Sequence, residues 1–190
     1  MKKIAIFASG TGSNALKIIE HFKEKDIATI ALVISNKPSA PVLEKAKVNH
    51  IPTIIISRQS FYHSEELLEL FKERGIDFIV LAGFLWLMPA YLVSAYQEKM
   101  VNIHPALLPK YGGKGMYGMN VHRAVHAAKE PTSGITIHWV NNNYDEGDII
   151  FQASCNITSD DTPENISAKV RTLEHQHFPR VIEDLLRGKR

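Results

Sequence analysis

The stretch that decides the fold is IAIFASGTGSNALKIIEHF, residues 4–22, which joins a predicted buried strand to a predicted amphipathic helix. Its first part, IAIFAS over residues 4–9, is almost entirely apolar, as expected of a strand that is covered on both faces. A turn with two glycines follows, and apolar residues then recur at helical spacing up to Phe22. The stretch therefore predicts the strand–turn–helix unit from which α/β domains are built.

The same alternation continues along the chain. Further strands are predicted over residues 29–35, 53–56, 78–82 and 100–104. The helices between them are predicted over residues 41–48, 64–74 and 85–96. Because strands that alternate with helices pair in parallel, we expect a sheet with helices on both faces.

The pattern changes after residue 108. Residues 109–119, PKYGGKGMYGM, hold four glycines without apolar periodicity and predict a loop, after which Asn120 is expected to cap a helix through residue 128. Strands over residues 135–140 and 149–156 are joined by a polar stretch, which indicates an antiparallel pair. The last helix is expected to begin at Thr162-Pro163 and to kink or restart at Pro179.

These elements predict one domain over residues 1–190 with a doubly wound, Rossmann-like α/β fold. Its sheet is expected to be mostly parallel, with an antiparallel extension near the C-terminus. Ligands of such sheets bind outside the carboxyl ends of the strands. This rule selects three places for a site: after Ser9, after Ala82 and around His104.

Composition excludes several classes of function. With 22 basic and 20 acidic residues the net charge is +2, which does not indicate the clustered basic surface that binds a nucleic-acid backbone. The basic cluster at residues 187–190 is interpreted as a solvated tail. The single Cys155 rules out an internal disulfide and indicates a reducing compartment. The apolar run at the N-terminus is too short for a signal peptide or a membrane span. We therefore expect a cytoplasmic protein that binds neither nucleic acid nor membrane.

The glycine turn has the form G-x-G-x-x-A, which resembles a dinucleotide-binding fingerprint. The acidic residue that should follow the second strand is missing, since that strand ends in Ser35-Asn36-Lys37. Gly12, Ser13 and Asn14 offer backbone N–H groups and two short polar side chains at a helix N-terminus, which suits a single phosphate. A tight turn that needs no ligand is the alternative, and the sequence leaves both open.

Asn102 and His104 stand two apart at the end of a strand, so that their side chains share a face. An amide that stabilises an oxyanion beside an imidazole that handles a proton suits acyl transfer. The alternative is a histidine bonded to the backbone at a strand end. Asp145 belongs to a predicted turn. It either only stabilises that turn or lies beside His104 and raises the pKa of the imidazole.

Metal and covalent chemistry find little support in the sequence. His122 and His126 share a helix face, but Arg123 stands where a metalloprotease motif has its glutamate, and no third ligand is placed. Cys155 lies within an apolar strand and is interpreted as a core residue. We expect no bound metal.

Five segments in this order resemble the phosphoribosylglycinamide formyltransferase branch of the folate-dependent formyltransferase family. They are residues 12–14 (GSN), 81–84 (LAGF), 102–111 (NIHPALLPKY), 136–138 (TIH) and 144–147 (YDEG). The resemblance covers essentially the whole chain. It implies a single formyltransferase domain that moves a formyl group from the cosubstrate 10-formyltetrahydrofolate to the amine of 5'-phosphoribosylglycinamide, a step of de novo purine (IMP) biosynthesis.

The resemblance also implies roles for individual residues. The catalytic residues would be Asn102, His104 and Asp145, supported by His138. The ribonucleotide and its phosphate would be bound by Gly12, Ser13, Asn14 and Glu174. The folate would be bound by Arg58, Leu85, Trp86, Leu87, Met88 and Asn102. The partners are then small molecules, and the enzyme is expected to be a monomer or a weak homodimer.

Three other functions compete with this one. A formyltetrahydrofolate hydrolase would use the same catalytic residues with water in place of the amine, although it usually carries an additional N-terminal domain and here the first strand begins at Lys3. A non-catalytic sugar-phosphate-binding module would need only the glycine turn. A metallohydrolase would use His122, His126 and a further histidine.

Overall fold

Seven strands form one mixed sheet in the computed structural model, which describes residues 1–189. The strands are β1 (Lys2–Phe7), β2 (Ala28–Ser35), β3 (Thr53–Ile55), β4 (Phe78–Leu81), β5 (Met100–His104), β6 (Thr132–Trp139) and β7 (Ile149–Asn156). The helices are α1 (Ser13–Phe22), α2 (Pro41–Val48), α3 (Arg58–His63), α4 (Glu66–Arg74), α5 (Ala90–Ala95), α6 (Met119–Ala127) and α7 (Pro163–Leu186). No helix within residues 1–189 is long and apolar enough to cross a membrane.

The strand order is β3-β2-β1-β4-β5-β6-β7, and it confirms the predicted fold class. The first five strands pair in parallel, whereas β6 pairs antiparallel with both β5 and β7. The chain runs outward from β1 to β3 and then crosses back to place β4 on the other side of β1. This reversal opens a crevice at the carboxyl ends of β1 and β4, where sheets of this type bind ligands.

The apolar core has two layers, one on each face of the sheet. Along β1, Ile4 and Ile6 belong to the layer covered by α1, α2, α6 and α7, while Ala5 and Phe7 belong to the layer under α3, α4 and α5. Because successive side chains of a strand point to opposite faces, a central strand with a core on both sides must be apolar throughout. This is why residues 4–9 read as one unbroken apolar run.

The predicted helix over residues 85–96 is wrong in its first half. The helix is confined to α5, and residues 85–88 have no regular secondary structure. Pro89 is the N-cap of α5, and it has no N–H to continue a helix from the preceding segment. The helix predicted from Ser64 begins at Glu66 instead, and the short α3, capped by Ser57, was not predicted.

Two further expectations fail in the second half of the chain. The N-cap of α6 is Gly118, and the Asn120 side chain instead donates to the carbonyl of Gly115 at 3.1 Å. Helix α7 does not restart at Pro179, which lies buried within one continuous helix, and this burial acts against the cost of the hydrogen bond that proline cannot make. Thr162 does cap α7, by accepting from the N–H of Asn165. Arg190, the last residue of the basic cluster, lies outside the described residues.

Candidate active site

A cavity of about 630 Å³ lies at the carboxyl ends of the central strands. The loops after β1 and β4 form one side of it, and the end of β5 with the turn after β6 forms the other. The loop before α6 and the inner face of α7 complete the wall. All three places that the sheet rule selects therefore open into one space.

The glycine turn after β1 is held by close packing against α2. Gly12 has a φ of +69°, and a Cβ atom there would collide with Val42, so only glycine fits. None of the described side chains caps α1, and Gly12, Ser13 and Asn14 at the start of that helix line the cavity. Such a helix terminus favours an anion.

Asn14 joins this turn to α7. Its Nδ2 donates to Oε2 of Glu174 at 3.0 Å, while its Oδ1 is buried without a partner among residues 1–189. Burial raises the pKa of Glu174, although the hydrogen bond from Asn14 and the charge of Arg171 act against it. Ser13 also lines the cavity, so all four residues expected to bind a ribonucleotide lie along one wall.

Residues 85–88, in the loop after β4, form a second, largely apolar part of the same side of the cavity. The Ser9 hydroxyl accepts from the N–H of Leu85 at 3.0 Å and donates to Oδ1 of Asn36 at 2.6 Å. The Tyr62 hydroxyl donates to the carbonyl of Leu87 at 3.0 Å. Arg58 does not line the cavity itself, and its guanidinium lies 5.0 Å from the ring centre of Trp86. The segment thus has fixed backbone positions without being helical.

Asp145 lies among three polar side chains on the β5–β6 side. Its Oδ1 is 3.3 Å from Nδ2 of Asn102 and 3.6 Å from Nε2 of His138. Its Oδ2 is 3.4 Å from Nδ1 of His104 and accepts the N–H of Gly113 at 2.9 Å. Asn102 and His138 are direct partners across β5 and β6, which explains their 3.1 Å contact. The structure therefore brings the four residues of the expected catalytic group together.

Backbone carbonyls determine which ring nitrogens carry protons. Nε2 of His104 lies 2.7 Å from the carbonyl of Tyr111, and Nδ1 of His138 lies 2.8 Å from the carbonyl of Trp139. Because a carbonyl only accepts, both of these nitrogens must be protonated. Nε2 of His138 is then free to accept from Asn102, and Nδ1 of His104 faces the Asp145 carboxylate.

Burial and charge oppose each other in this group. Burial lowers the pKa of His104, whereas the charge of Asp145 and the Tyr111 carbonyl raise it, and burial prevails. As expected, the charge of Asp145 acts to raise the pKa of His104, but the effect of burial is larger and lowers it. Burial also acts to raise the pKa of Asp145, but His138, His104 and the Gly113 N–H together hold it below its ordinary value. The site thus favours a carboxylate beside an imidazole that gives up its proton readily.

The backbone around this group is strained. Tyr111 has a φ value of +58°, a conformation that is costly for a bulky residue, and Asp145 has a φ value of +57°, which aspartate tolerates better. Gly147 approaches the Trp139 carbonyl so closely that no Cβ atom fits. Strained residues persist only where the surroundings hold them, and they concentrate at functional sites.

Several residues in or next to the cavity are not predicted from the sequence as parts of the site. Tyr111 and Gly113 act through backbone atoms, which no side-chain pattern indicates. Arg171 lines the cavity three residues before Glu174, and their shared helix face was a usable signal. His122 also lines the cavity, with a pKa lowered to about 4 by burial, Arg171 and His104, whereas His126 is exposed. Within residues 1–189 no group of three His, Cys, Asp or Glu side chains is placed to hold a metal.

Comparison with known proteins finds one family along nearly the whole chain. The family described as formyl transferase matches residues 2–182. The chain is 39% identical over 187 residues to the chloroplastic phosphoribosylglycinamide formyltransferase of Arabidopsis thaliana, covering 95% of this chain and 64% of that protein. It is 37% identical over 191 residues to phosphoribosylglycinamide formyltransferase of Bacillus subtilis, covering 98% and 95% of the two chains. The chain thus spans less than two thirds of the plant relative and nearly all of the bacterial one.

Solved structures agree with the sequence relatives. Phosphoribosylglycinamide formyltransferase from Anaplasma phagocytophilum matches with a TM-score of 0.90 at 29% identity, covering 99% of this chain and 88% of that one. The enzyme of that name from Bacillus halodurans matches with a TM-score of 0.87 at 37% identity, covering 97% and 95%. The similarity thus extends over nearly the whole fold.

Proposed function

The chain belongs to the formyl transferase family, and we propose that it transfers the formyl group of 10-formyltetrahydrofolate to the amine of 5'-phosphoribosylglycinamide. This reaction is a step of de novo purine biosynthesis. The observation that carries the proposal is the position of Asp145, within 3.6 Å of Asn102, His104 and His138 on one wall of the cavity. Residues 1–190 would act as one formyltransferase domain.

The ribonucleotide would lie against the glycine turn. The free N–H groups at the start of α1, with Ser13 and Asn14, suit its phosphate. Glu174, held by Asn14, is placed to accept hydrogen bonds from ribose hydroxyls. The unpartnered Oδ1 of Asn14 supports a ligand in this part of the cavity, because buried polar atoms normally have partners.

The folate would lie against residues 85–88. A planar heterocycle with donors and acceptors at its edge suits a wall of backbone N–H and carbonyl groups flanked by apolar side chains. Ser9 and Tyr62 hold the backbone of that wall through Leu85 and Leu87. Trp86 lines the same wall, and Arg58 contributes a positive charge beside it for the acidic end of the cosubstrate.

The reaction would proceed by direct attack. The glycinamide nitrogen forms a bond to the formyl carbon, and the bond from that carbon to the folate nitrogen breaks. One of the two Asn102 N–H groups, which point to His138 and Asp145 without substrate, would turn to donate to the oxyanion of the tetrahedral intermediate, a contact worth roughly 3–4 kcal/mol in comparable sites. The amine loses one proton and the folate nitrogen gains one, and His104 with Asp145 supplies and relays it. Holding both reactants in one cavity in the right orientation would contribute more, up to about 7–11 kcal/mol.

The experiment is to follow the loss of 10-formyltetrahydrofolate by absorbance with and without the ribonucleotide. We expect turnover only when the ribonucleotide is present, and Asn102→Leu to abolish it without loss of folding. Turnover that ignores the ribonucleotide would contradict the proposal and indicate the hydrolase. No turnover with either would leave a binding module as the better description.

A further inference from the structure

Glu130 lies outside the cavity, in the turn between α6 and β6, and makes two contacts with the segment that leads into the glycine-rich loop. Its Oε1 accepts from the Tyr111 hydroxyl at 2.8 Å and from Nζ of Lys110 at 2.9 Å. The Glu130 side chain is 20% exposed, and Lys110 is 69% exposed. The tyrosine contact is therefore the more shielded of the two.

The segment from Tyr111 to Gly113 touches both members of the central acid–base pair. The Tyr111 carbonyl accepts from Nε2 of His104 at 2.7 Å, and the Gly113 N–H donates to Oδ2 of Asp145 at 2.9 Å. Gly112, between them, passes so close to Leu108 and Asp145 that a Cβ atom would collide with Leu108. The backbone of residues 111–113 thus positions the His104 imidazole and the Asp145 carboxylate.

Tyr111 is in the left-handed conformation, with a φ of +58°. An L-residue other than glycine gives up free energy there, and it returns to negative φ unless its surroundings hold it. Rotation toward negative φ turns the peptide planes on both sides of the residue. Its carbonyl would then leave His104, and the Gly113 N–H would shift against Asp145.

We propose that Glu130 is a positioning residue for the transfer reaction, acting through the Tyr111 hydroxyl to hold the strained backbone that orients His104 and Asp145. Its importance for turnover rests on the proposed function. Its effect on His104 does not, because the contacts are present without substrate. From its position outside the cavity, Glu130 would thus determine which ring nitrogen of His104 is protonated.

The first test is spectroscopic and uses the whole protein without substrate. Imidazole ¹⁵N shifts report which nitrogen of His104 carries the proton. In the wild type, Nε2 of His104 should be the protonated nitrogen. Glu130→Ala and Tyr111→Phe should each move these shifts in the same direction, toward a mixture of tautomers. Glu130→Gln keeps an oxygen that accepts from the tyrosine and should retain the wild-type shifts.

Lys110→Met is the matched control, because it removes the other contact of Glu130 and leaves the Tyr111 hydrogen bond. It should leave the His104 shifts unchanged. Unchanged shifts in Glu130→Ala, in a protein with the wild-type melting temperature, would overturn the proposal. Equal changes in Lys110→Met would also overturn it, because the effect would then follow surface charge.

The second test is kinetic. Glu130→Ala should lower kcat by between about 10- and 100-fold, as a shift of about 1 Å at a reacting group does, with KM for both substrates unchanged. The double variant with Tyr111→Phe should be no worse than either single one, since both remove the same bond. Additive losses, or a rise of KM alone, would contradict the positioning role. A wild type without transferase activity would refute the proposed function, whereas the spectroscopic result would still decide the role of Glu130.

Discussion

The two sides of the cavity are built by different means. On the parallel side, the loops after β1 and β4 present backbone groups of Gly12, Leu85 and Leu87, held from behind by Val42, Ser9 and Tyr62. On the antiparallel side, Asn102, His104 and His138 each lie within 3.6 Å of the Asp145 carboxylate, and Tyr111 and Asp145 both have positive φ values.

This difference matches the proposed division of the cavity into a binding side and a catalytic side. Backbone N–H groups at a helix start recognise an anion without having to change their protonation, and they cost little to place. Side chains that move a proton need neighbours that adjust their pKa values, and burial and nearby charges do this for His104 and Asp145. Variants on the antiparallel side should therefore lower turnover, and variants on the parallel side should weaken binding.

Asp145→Asn should give the largest effect, on the antiparallel side. It keeps the size of the side chain and removes the charge that raises the pKa of His104, so that this pKa falls further below its ordinary value. Less of the imidazole then carries a transferable proton at neutral pH. We expect turnover to fall by about 10²–10⁴-fold, the usual contribution of acid–base catalysis. Turnover and an NMR titration of His104 measure the two effects.

Asp148→Asn is the control for this change, since Asp148 is an exposed acid of the same turn. It should keep both turnover and the His104 titration. Ribonucleotide and folate should still bind to Asp145→Asn. If Asp145→Asn keeps wild-type turnover and an unchanged His104 titration, the aspartate has only a structural role in its turn.

Asn14→Leu should have an intermediate effect, on the parallel side. It removes the bond to Glu174 and the buried Oδ1, and it leaves a raised-pKa carboxyl without its donor. Losing one or two hydrogen bonds to a charged ligand should weaken ribonucleotide binding by roughly 10- to 100-fold. Calorimetry with each substrate measures this. Equal ribonucleotide affinity in the variant, or a matching loss of folate affinity, would contradict the division between the two sides.

Local sequence patterns predict elements on both sides of the cavity, and β7 on the antiparallel side also has its predicted bounds. Residues 4–22 carry the strand, the glycine turn and the helix in one local pattern, and each element forms where it is predicted within two residues. The α2 helix and the β5 strand have the predicted bounds. Local hydrophobic periodicity is sufficient there because each unit packs directly on its own strand.

Contacts between distant residues are beyond such patterns. Asn102 and His104 share a strand face, so the sequence pairs them, but Asp145 reaches them only through the antiparallel return of β6. The segment at residues 85–88 has helical apolar spacing, yet hydrogen bonds from distant Ser9 and Tyr62 fix it as irregular backbone. The role of Tyr111 depends on its carbonyl and its positive φ, neither of which the residue type indicates.

Glu183→Gln should have a smaller effect, on stability alone. Substrate binding and turnover should both be retained. Glu183 on α7 accepts from His21 at 2.6 Å and pairs with Lys25 of the turn after α1, and with Arg187 at 3.0 Å. The hydrogen bond from Lys25 is the main cause that lowers the Glu183 pKa to about 2. The stabilising effect should therefore be present above about pH 4.5 and disappear as the pH falls toward 2. Because the network is partly exposed, we expect roughly 1 kcal/mol or less at pH 7.

Urea unfolding of both proteins across pH measures this effect. The neighbouring Asp184→Asn, which removes an exposed acid with only a 3.8 Å pair to Lys189, should unfold like the wild type at every pH. A difference between Glu183→Gln and the wild type that persists at pH 2 would show that the network acts through packing and not through its charge.

Cys155→Ala should have the smallest effect, although the residue lies on the antiparallel side. Cys155 is in the edge strand β7, across from Ser133, and its side chain packs against the core outside the cavity. Burial raises the pKa of its thiol, so the nucleophilic thiolate is scarce at neutral pH. A direct transfer forms no bond to sulfur, and turnover should be retained with a stability loss of at most about 1 kcal/mol. Steady-state rates and the melting temperature of the variant measure both. A collapse of turnover in a folded variant would mean that chemistry on this side extends beyond the group around Asp145 and includes a covalent step.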